Sequence, residues 1–298
     1  MKIRIGFGLG TQSTTTDRER FATLVDDLER LRFDSLWLSE RVNGPALDPV
    51  VAMTFAIART ERLKVGTAVM VLPGRNPVLL AKTLSSLDQL SGGRLLPAFG
   101  LGVANSAEHQ AFGVERTERA KWFNEALPLL RRLWTEDVVV HEGERFQLDG
   151  ASINPKPVQK PFDVWMGGAA PAELRRVGRL SDGWLPSFCT PADVAEGIKV
   201  VNGHAAEADR EIEDEHFGVL LGYTSGDIPG RLLAIAKKRK PDADPTELFA
   251  QGRDDLRHRI EAFIEVGASK FVVVPFDEPN DWTEELEYLA GELLPLEN

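Results

Sequence analysis

Eight short apolar runs, each rich in β-branched or aromatic residues and each followed by a segment with apolar residues three and four apart, constrain this chain most. The runs are residues 3–9, 34–39, 64–71, 94–100, 162–166, 183–188, 216–223 and 271–276. Strands that are apolar on both faces need cover on both faces, and the helical segments between them supply it. The expected fold is an α/β protein, a (β/α)8 TIM barrel, with one insertion after strand 4 and another after strand 7. Periodicity alone also admits an open parallel sheet. At 298 residues with 43% hydrophobic side chains, the chain can fill a barrel as a single domain spanning residues 1–298.

The helices carry their own start signals. Asp17 precedes a face of Phe21, Leu24, Val25 and Leu28. Asp48 and Asn76 stand immediately before Pro49 and Pro77, which lose nothing in a first turn by lacking an N–H. Thr190-Pro191 with Asp193 repeats the device, and Gly267 closes the stripe of Leu256, Ile260 and Phe263. Two stretches break the rhythm. Residues 101–161 hold a helix striped by Phe123, Leu127, Leu130 and Trp134, which Pro128 should kink or begin, and a hairpin of 138–140 with 145–148. Residues 224–252 are polar and proline-containing around a basic helical piece, and read equally as a lid or as a surface excursion without a role.

Charge and chemistry exclude several classes. With 35 basic and 46 acidic residues, the net charge of -11 repels nucleic acid and anionic membranes. The one basic run, 237–240, lacks interleaved aromatics and is followed by Asp242 and Asp244. Cys189 is the only cysteine, which excludes an intramolecular disulfide and a cysteine-based zinc site and fits a reducing, cytoplasmic setting. The five histidines are scattered without metal-ligand spacing, so no metal site is expected. No run is long enough to span a membrane, and residues 1–10 read as a strand rather than a targeting segment.

A parallel barrel presents its chemistry in the loops after the strands. The most informative is Trp165-Met166-Gly167-Gly168-Ala169-Ala170-Pro171, where a strand passes through bare backbone into a helix. Exposed N–H groups at such a turn suit a phosphate, with Arg175 and Arg176 just behind; a plain tight turn is the alternative. Gly100-Leu101-Gly102 is a second place for close backbone approach, or for packing alone. Ser39, Glu40 and Arg41 are polar groups at the end of an apolar strand, where Glu40 and Arg41 also have the makings of a structural ion pair. His109 lies in a loop of the same rim.

The residues resemble the luciferase-like monooxygenase superfamily, and within it the deazaflavin-dependent oxidoreductases. The likeness runs through residues 35–40, through 65–69 leading into Pro73-Gly74-Arg75-Asn76-Pro77, and through Asp88 to Arg94. It continues in 100–102, Ala111-Phe112-Gly113-Val114 with Arg119, Pro155-Lys156-Pro157, 165–168 and Ser181-Asp182-Gly183-Trp184. It implies a homodimeric barrel binding coenzyme F420, or FMN, and a small-molecule substrate. The ring would lie against the third strand, where a cis bond joins Ala68 and Val69. Its contacts would be Ser39, Glu40, Thr67, Ala68, Val69, Gly100 and Gly102, with the phosphate at Gly167, Gly168 and Ala169 and with Arg175. The implied chemistry is hydride transfer between deazaflavin and substrate; an oxygen-using FMN monooxygenase and a cofactor-binding barrel without turnover are the alternatives. Sugar-phosphate-oxidising members have Asp-His and a Glu where this chain has Glu40-Arg41 and Val103, so those acid and base roles do not carry over. Arg41 is instead expected to stabilise developing negative charge, and Glu40 to orient it or touch the ring.

Overall fold

The computed structural model describes residues 1–103, 105–241 and 243–298; Ala104 and Asp242 lie outside the described residues. The elements run β1 (Arg4–Leu9), α1 (Arg18–Leu31), β2 (Ser35–Leu38), α2 (Pro49–Arg59), β3 (Lys64–Thr67), β4 (Met70–Val71), α3 (Pro77–Ser91), β5 (Leu95–Leu96), β6 (Ala98–Gly100), α4 (Ser106–Phe112) and α5 (Arg119–Thr135). They continue with β7 (Val139–Glu142), β8 (Gln147–Ala151), β9 (Trp165–Met166), α6 (Pro171–Leu180), β10 (Gly183–Trp184), α7 (Pro191–Ala206), β11 (Gly218–Thr224), α8 (Gly230–Arg239), β12 (Ala250–Gln251), α9 (Arg253–Glu265), β13 (Lys270–Pro275) and α10 (Trp282–Leu293).

Parallel pairing carries the ring from β13 to β1, β2, β3 and β5, and from β4 to β6, β9 and β10. Two staves are broken in the middle. The third is divided into β3 and β4 at the Ala68–Val69 bond, which is cis, and the fourth into β5 and β6 at Pro97. The ring closes between β10 and β11: Trp184 bridges Phe217, Ser187 bridges Leu220, and the Leu220 N–H donates to the Pro186 carbonyl at 2.8 Å. β11 then pairs β13 from Gly218–Lys270 to Tyr223–Pro275. An open sheet has no such closure, so the barrel reading stands.

Two cores follow from the alternation of side chains along the staves. Inside the barrel sit Trp37, Ala98, Trp165, Leu185, Val272 and Val274, with Trp37 and Trp165 packed edge to face at 6.2 Å. Room for the Trp37 indole comes from its neighbours: a Cβ on Gly66 would stand 2.7 Å from that ring. Outside, Phe7, Leu24, Leu36, Met53, Leu84 and Phe271 join the staves to the helices. The helix starts form as the sequence predicts: the side chains of Asp17, Asp48 and Asn76 each accept two N–H groups of the following turn, and Thr190 pairs reciprocally with Asp193.

At the end of the barrel where the staves begin, Asp34 accepts from Lys64 and from Lys270, both at 2.9 Å. Burial pushes this carboxyl upward, but the two ammonium groups outweigh it and hold it well below the ordinary carboxylate range. Glu297 accepts the Ile5 N–H at 2.6 Å, which ties the last residues of the chain to the first stave.

The insertions depart from expectation in two ways. Pro128 neither begins nor ends the helix, because α5 runs through it from Arg119 to Thr135; the carbonyl one turn earlier simply lacks that donor. The stretch after β11 is not a bare excursion. Leu232, Ala236, Leu248 and Phe249 form a separate small core with Phe188 and Phe276, and Lys240 pairs with Asp193 at the start of α7. The hairpin of the first insertion forms as β7 and β8, paired antiparallel.

Candidate active site

The ends of the staves surround a cavity of about 330 Å³, within the range of roughly 300–1,000 Å³ that small molecules and cofactors occupy. Each stretch of its wall comes from a loop or stave end. Thr11 follows β1, Ser39 and Glu40 follow β2, Ala68 and Val69 divide the third stave, and Gly100 to Val103 leave β6. Met166 to Gly168 leave β9, Leu185 and Ser187 leave β10, and Leu220 comes from β11. The wall is apolar on the side of Val69, Met166, Leu185 and Leu220, and bare backbone at Gly100, Gly167 and Gly168.

That bareness is built in. A Cβ on Gly100 would reach 2.6 Å from Val69 Cγ2, and one on Gly168 would reach 2.3 Å from the Glu173 carboxylate. Gly168 also has a φ of +91°, the left-handed region that glycine enters at least cost. Its carbonyl accepts from the Trp184 indole at 2.7 Å, so the Ser181-Asp182-Gly183-Trp184 segment holds the turn in place. Asp182 is itself fixed by Arg131 and Arg210 and accepts the Val164 N–H at 2.8 Å.

Glu40 is buried, its side chain 5% exposed. It accepts the Val71 N–H at 2.6 Å and pairs with Arg75, while the Ser39 hydroxyl donates to the Ala68 carbonyl at 2.9 Å. Burial holds the Glu40 carboxyl above its ordinary value, and the Arg75 guanidinium and the Val71 N–H offset only part of that rise. These two residues therefore clamp the divided third stave. The expected Glu40–Arg41 pair does not form, because Arg41 turns the other way and faces Glu108 at 3.5 Å. Replacing Glu40 by Gln keeps an acceptor for Val71 but leaves Arg75 without its counter-charge; the expected loss is about 2 kcal/mol of unfolding free energy, read from urea titrations.

Of the other residues expected at the site, Ser39, Glu40, Ala68, Val69, Gly100, Gly102, Gly167 and Gly168 line the cavity. Arg41, Thr67, Ala169 and Arg175 are not on its wall. Thr67 is buried, its hydroxyl donating to the Ala98 carbonyl at 2.7 Å and accepting the Ala98 N–H at 2.9 Å, so it joins the third and fourth staves. Ala169 and Arg175 are exposed. The arginine that α6 offers the cavity is Arg176, which lies three residues beyond Glu173 and so on the same helix face. His109 is engaged by Arg119, whose other nitrogen donates to the Leu101 carbonyl at 2.5 Å.

Three charged residues on the wall lie outside the sequence expectation, Glu108, Glu173 and Arg239, whereas Arg176 is expected from the sequence only as a neighbour of the turn. Glu108, on α4, has a side chain only 4% exposed and also accepts the Asn43 N–H at 3.3 Å. The available signal for it was the first-turn position after Asn105, whose side chain accepts from the N–H groups of Ala107 and Glu108. Arg239 ends α8, its guanidinium stacked 4.1 Å over the Phe188 ring. Nothing in the local sequence distinguishes it from its basic neighbours. Other motif residues hold the frame alone: Arg94 donates to the carbonyls of Leu63 and Thr60, and Asp88 accepts from Val158 and Gln159.

A closed parallel barrel with a partly apolar, glycine-lined cavity at the ends of its staves defines the class of barrel enzymes. The chain belongs to the luciferase-like monooxygenase family, whose model matches residues 2–262, and is a luciferase-like oxidoreductase. It is 28% identical over 261 residues to an F420-dependent glucose-6-phosphate dehydrogenase of Kineococcus radiotolerans, covering 80% of this chain and 76% of that one. Its fold matches an F420-dependent secondary alcohol dehydrogenase solved with an F420-acetone adduct, at a TM-score of 0.83 and 20% identity, with all of both chains covered. It also matches the oxygenating constituent of a 3,6-diketocamphane monooxygenase of Pseudomonas putida in complex with FMN, at a TM-score of 0.77 and 18% identity, over 100% of this chain and 99% of the other.

Proposed function

We propose that this protein transfers a hydride between coenzyme F420 and a small, uncharged organic substrate. The observation that carries the reading is the cavity wall at Gly100, Gly167 and Gly168, where bare backbone lies beside an apolar side and where a Cβ would collide with Val69 at Gly100 or with the Glu173 carboxylate at Gly168. Such a cradle fits a flat ring bearing a phosphate. Ala68, Val69 and Gly100 would hold the ring, and Gly167 and Gly168 the phosphate. The deazaflavin would supply two-electron hydride exchange.

The protein's own part is to bind, orient and exclude water. Ser39 and Glu40 fix the backbone around Val69 from behind, and Leu185 and Leu220 keep that side of the cavity dry. Where sugar-phosphate-oxidising members have His and Glu, this chain has Arg41, which faces Glu108, and Val103, whose carbonyl accepts from Arg119 at 2.8 Å. Oxidation of a sugar phosphate by the dehydrogenase relative's route is therefore not part of the proposal.

Titrating the purified protein with F420 and with FMN, then measuring substrate-dependent hydride transfer and oxygen uptake, tests the reading. Tight F420 binding with hydride transfer and no oxygen uptake is expected. FMN binding with oxygen uptake replaces it by the monooxygenase reading, and tight binding with no turnover over a substrate panel replaces it by a cofactor-holding barrel. A cytoplasmic location and a homodimer belong to the same proposal; Val51 and Leu79, exposed on the neighbouring helices α2 and α3, offer a partner apolar contact that sedimentation of that preparation would read.

A further inference from the structure

Glu40, Glu108 and Glu173 all stand on the cavity wall, but their lone pairs are not equally committed. Glu40 gives one oxygen to the Val71 N–H and the other to Arg75. Glu173 is half-buried at the start of α6, where it rests against the Gly168 turn and accepts the Ala170 N–H at 3.4 Å. Glu108 differs from both. Its side chain is only 4% exposed, yet both of its contacts fall on Oε1, the Asn43 N–H at 3.3 Å and the Arg41 Nε at 3.5 Å. Among the described residues nothing donates to Oε2, and the side-chain polar atoms sealed away without a partner are Trp122 Nε1 and Arg145 Nε. Glu108 Oε2 therefore keeps contact with open space, and the open space beside Glu108 is the cavity. The carboxylate is held from two sides: Asn105 caps the turn of α4 that carries it, and Asn43 accepts from Arg41 at 3.3 Å while donating to Glu108. Neighbouring groups able to hold a proton are engaged elsewhere, Ser39 with the Ala68 carbonyl and His109 with Arg119.

We infer that Glu108 is a catalytic residue, whose Oε2 exchanges a proton with the substrate as hydride passes between substrate and cofactor. The inference rests on the proposed function and adds to it the reacting group of the substrate, a hydroxyl or its carbonyl counterpart. Hydride loss from an alcohol carbon leaves a protonated carbonyl, a strong acid, so a base must stand within hydrogen-bond reach of that oxygen. In this direction the carbinol C–H bond breaks with its electron pair passing to the deazaflavin, the O–H bond breaks with its proton passing to Glu108 Oε2, and the C=O bond forms. The substrate is oxidised by two electrons and the cofactor is reduced by the same two. In the reverse direction Glu108 returns the proton to the carbonyl oxygen. This is not the carboxylate that sugar-phosphate-oxidising members carry directly after Gly-x-Gly, because that position is Val103 here. An ion pair that only ties α4 to the loop after β2 explains the contacts on Oε1, but not a second oxygen left free at the cavity.

The first part of the test needs no turnover. Dicyclohexylcarbodiimide, an apolar reagent that adds to carboxyl groups able to take up a proton, should label Glu108 of the cofactor-free protein at mildly acidic pH, as read by peptide mass mapping. Glu40, with both oxygens occupied, should stay unlabelled. The second part uses the best hydride donor from a panel of secondary alcohols. Glu108→Gln keeps an acceptor for the Asn43 N–H while removing the base, so kcat should fall about 100-fold or more, with F420 affinity held within about twofold. Glu108→Ala leaves room for a formate ion, and added formate should restore part of the lost rate in a saturable way, which a mere loss of packing does not allow. Absence of label at Glu108, turnover of Glu108→Gln within about twofold of wild type, or a Glu108→Ala variant that formate does not revive overturns the catalytic role, while wild-type F420 binding and hydride transfer leave the cofactor reading standing. Wild-type transfer confined to compounds without a hydroxyl or carbonyl group overturns the inference as well. A wild-type protein that binds no F420 overturns both. Melting curves on each variant separate a folding defect from a catalytic one.

Discussion

Gly168→Val is expected to reduce cofactor affinity about a hundredfold or more, a loss of roughly 3 kcal/mol. Two effects coincide at this residue. The backbone stands at φ +91°, where an L side chain costs about 1–2 kcal/mol and a β-branched one more. The added carbon would also come within 2.3 Å of the Glu173 carboxylate, so either that carboxylate moves or the turn does. In both cases the N–H groups of the turn are no longer aimed at a ligand, and charged hydrogen bonds of about 1.5–3 kcal/mol each are lost. Gly252→Val separates the effects, since Gly252 has φ +83° with no atom within 4 Å of a new Cβ. It should lower the melting temperature by a similar amount and leave binding intact. Calorimetric affinity in Gly168→Val equal to wild type would remove the phosphate site from this turn.

Asp34→Asn should cost about 3–5 kcal/mol of unfolding free energy at neutral pH, the largest stability effect expected from a single isosteric change here. The substitution leaves Lys270, only 8% exposed, beside Lys64 without a counter-charge. The pH dependence has a definite sign. Because the folded carboxyl lies below its unfolded value of about 4, its contribution is complete above that pH and is lost as pH falls toward the folded value. Wild type should therefore lose stability on acidification below about pH 4, whereas the Asn variant loses less over the same interval, and the two denaturation curves should converge. Equal urea midpoints at pH 7 would show that the three groups contribute little as a set.

The barrel was legible because its signals are local. A cap before a proline at Asp48 and Asn76, or eight β-rich runs between helical stripes, needs no knowledge of what lies across the molecule. The turn at Gly168 was legible for the same reason. What the sequence could not show depends on which way a side chain points once the ring has closed. Arg175 and Arg176 are adjacent, yet the rotation of about 100° from one helical residue to the next sends the first to solvent and the second to the cavity. Thr67 faces a stave rather than a ligand, and Glu40 chooses Arg75 over its neighbour Arg41 because Val71 and Arg75 meet it across the broken third stave. Arg239 is the extreme case, since its place on the wall exists only after a segment some 50 residues from Phe188 folds back over it.

The small core beneath α8 shares no buried residue with the large one that joins staves to helices. A panel of the cavity wall is therefore mounted on its own foundation. Changes to Leu232, Ala236 or Leu248 should retune what enters the cavity without loosening the barrel, and residues of the inner core such as Trp37 can be altered without moving Arg239. One segment can thus be exchanged to reshape that panel while the staves and the large core beneath them stay as they are.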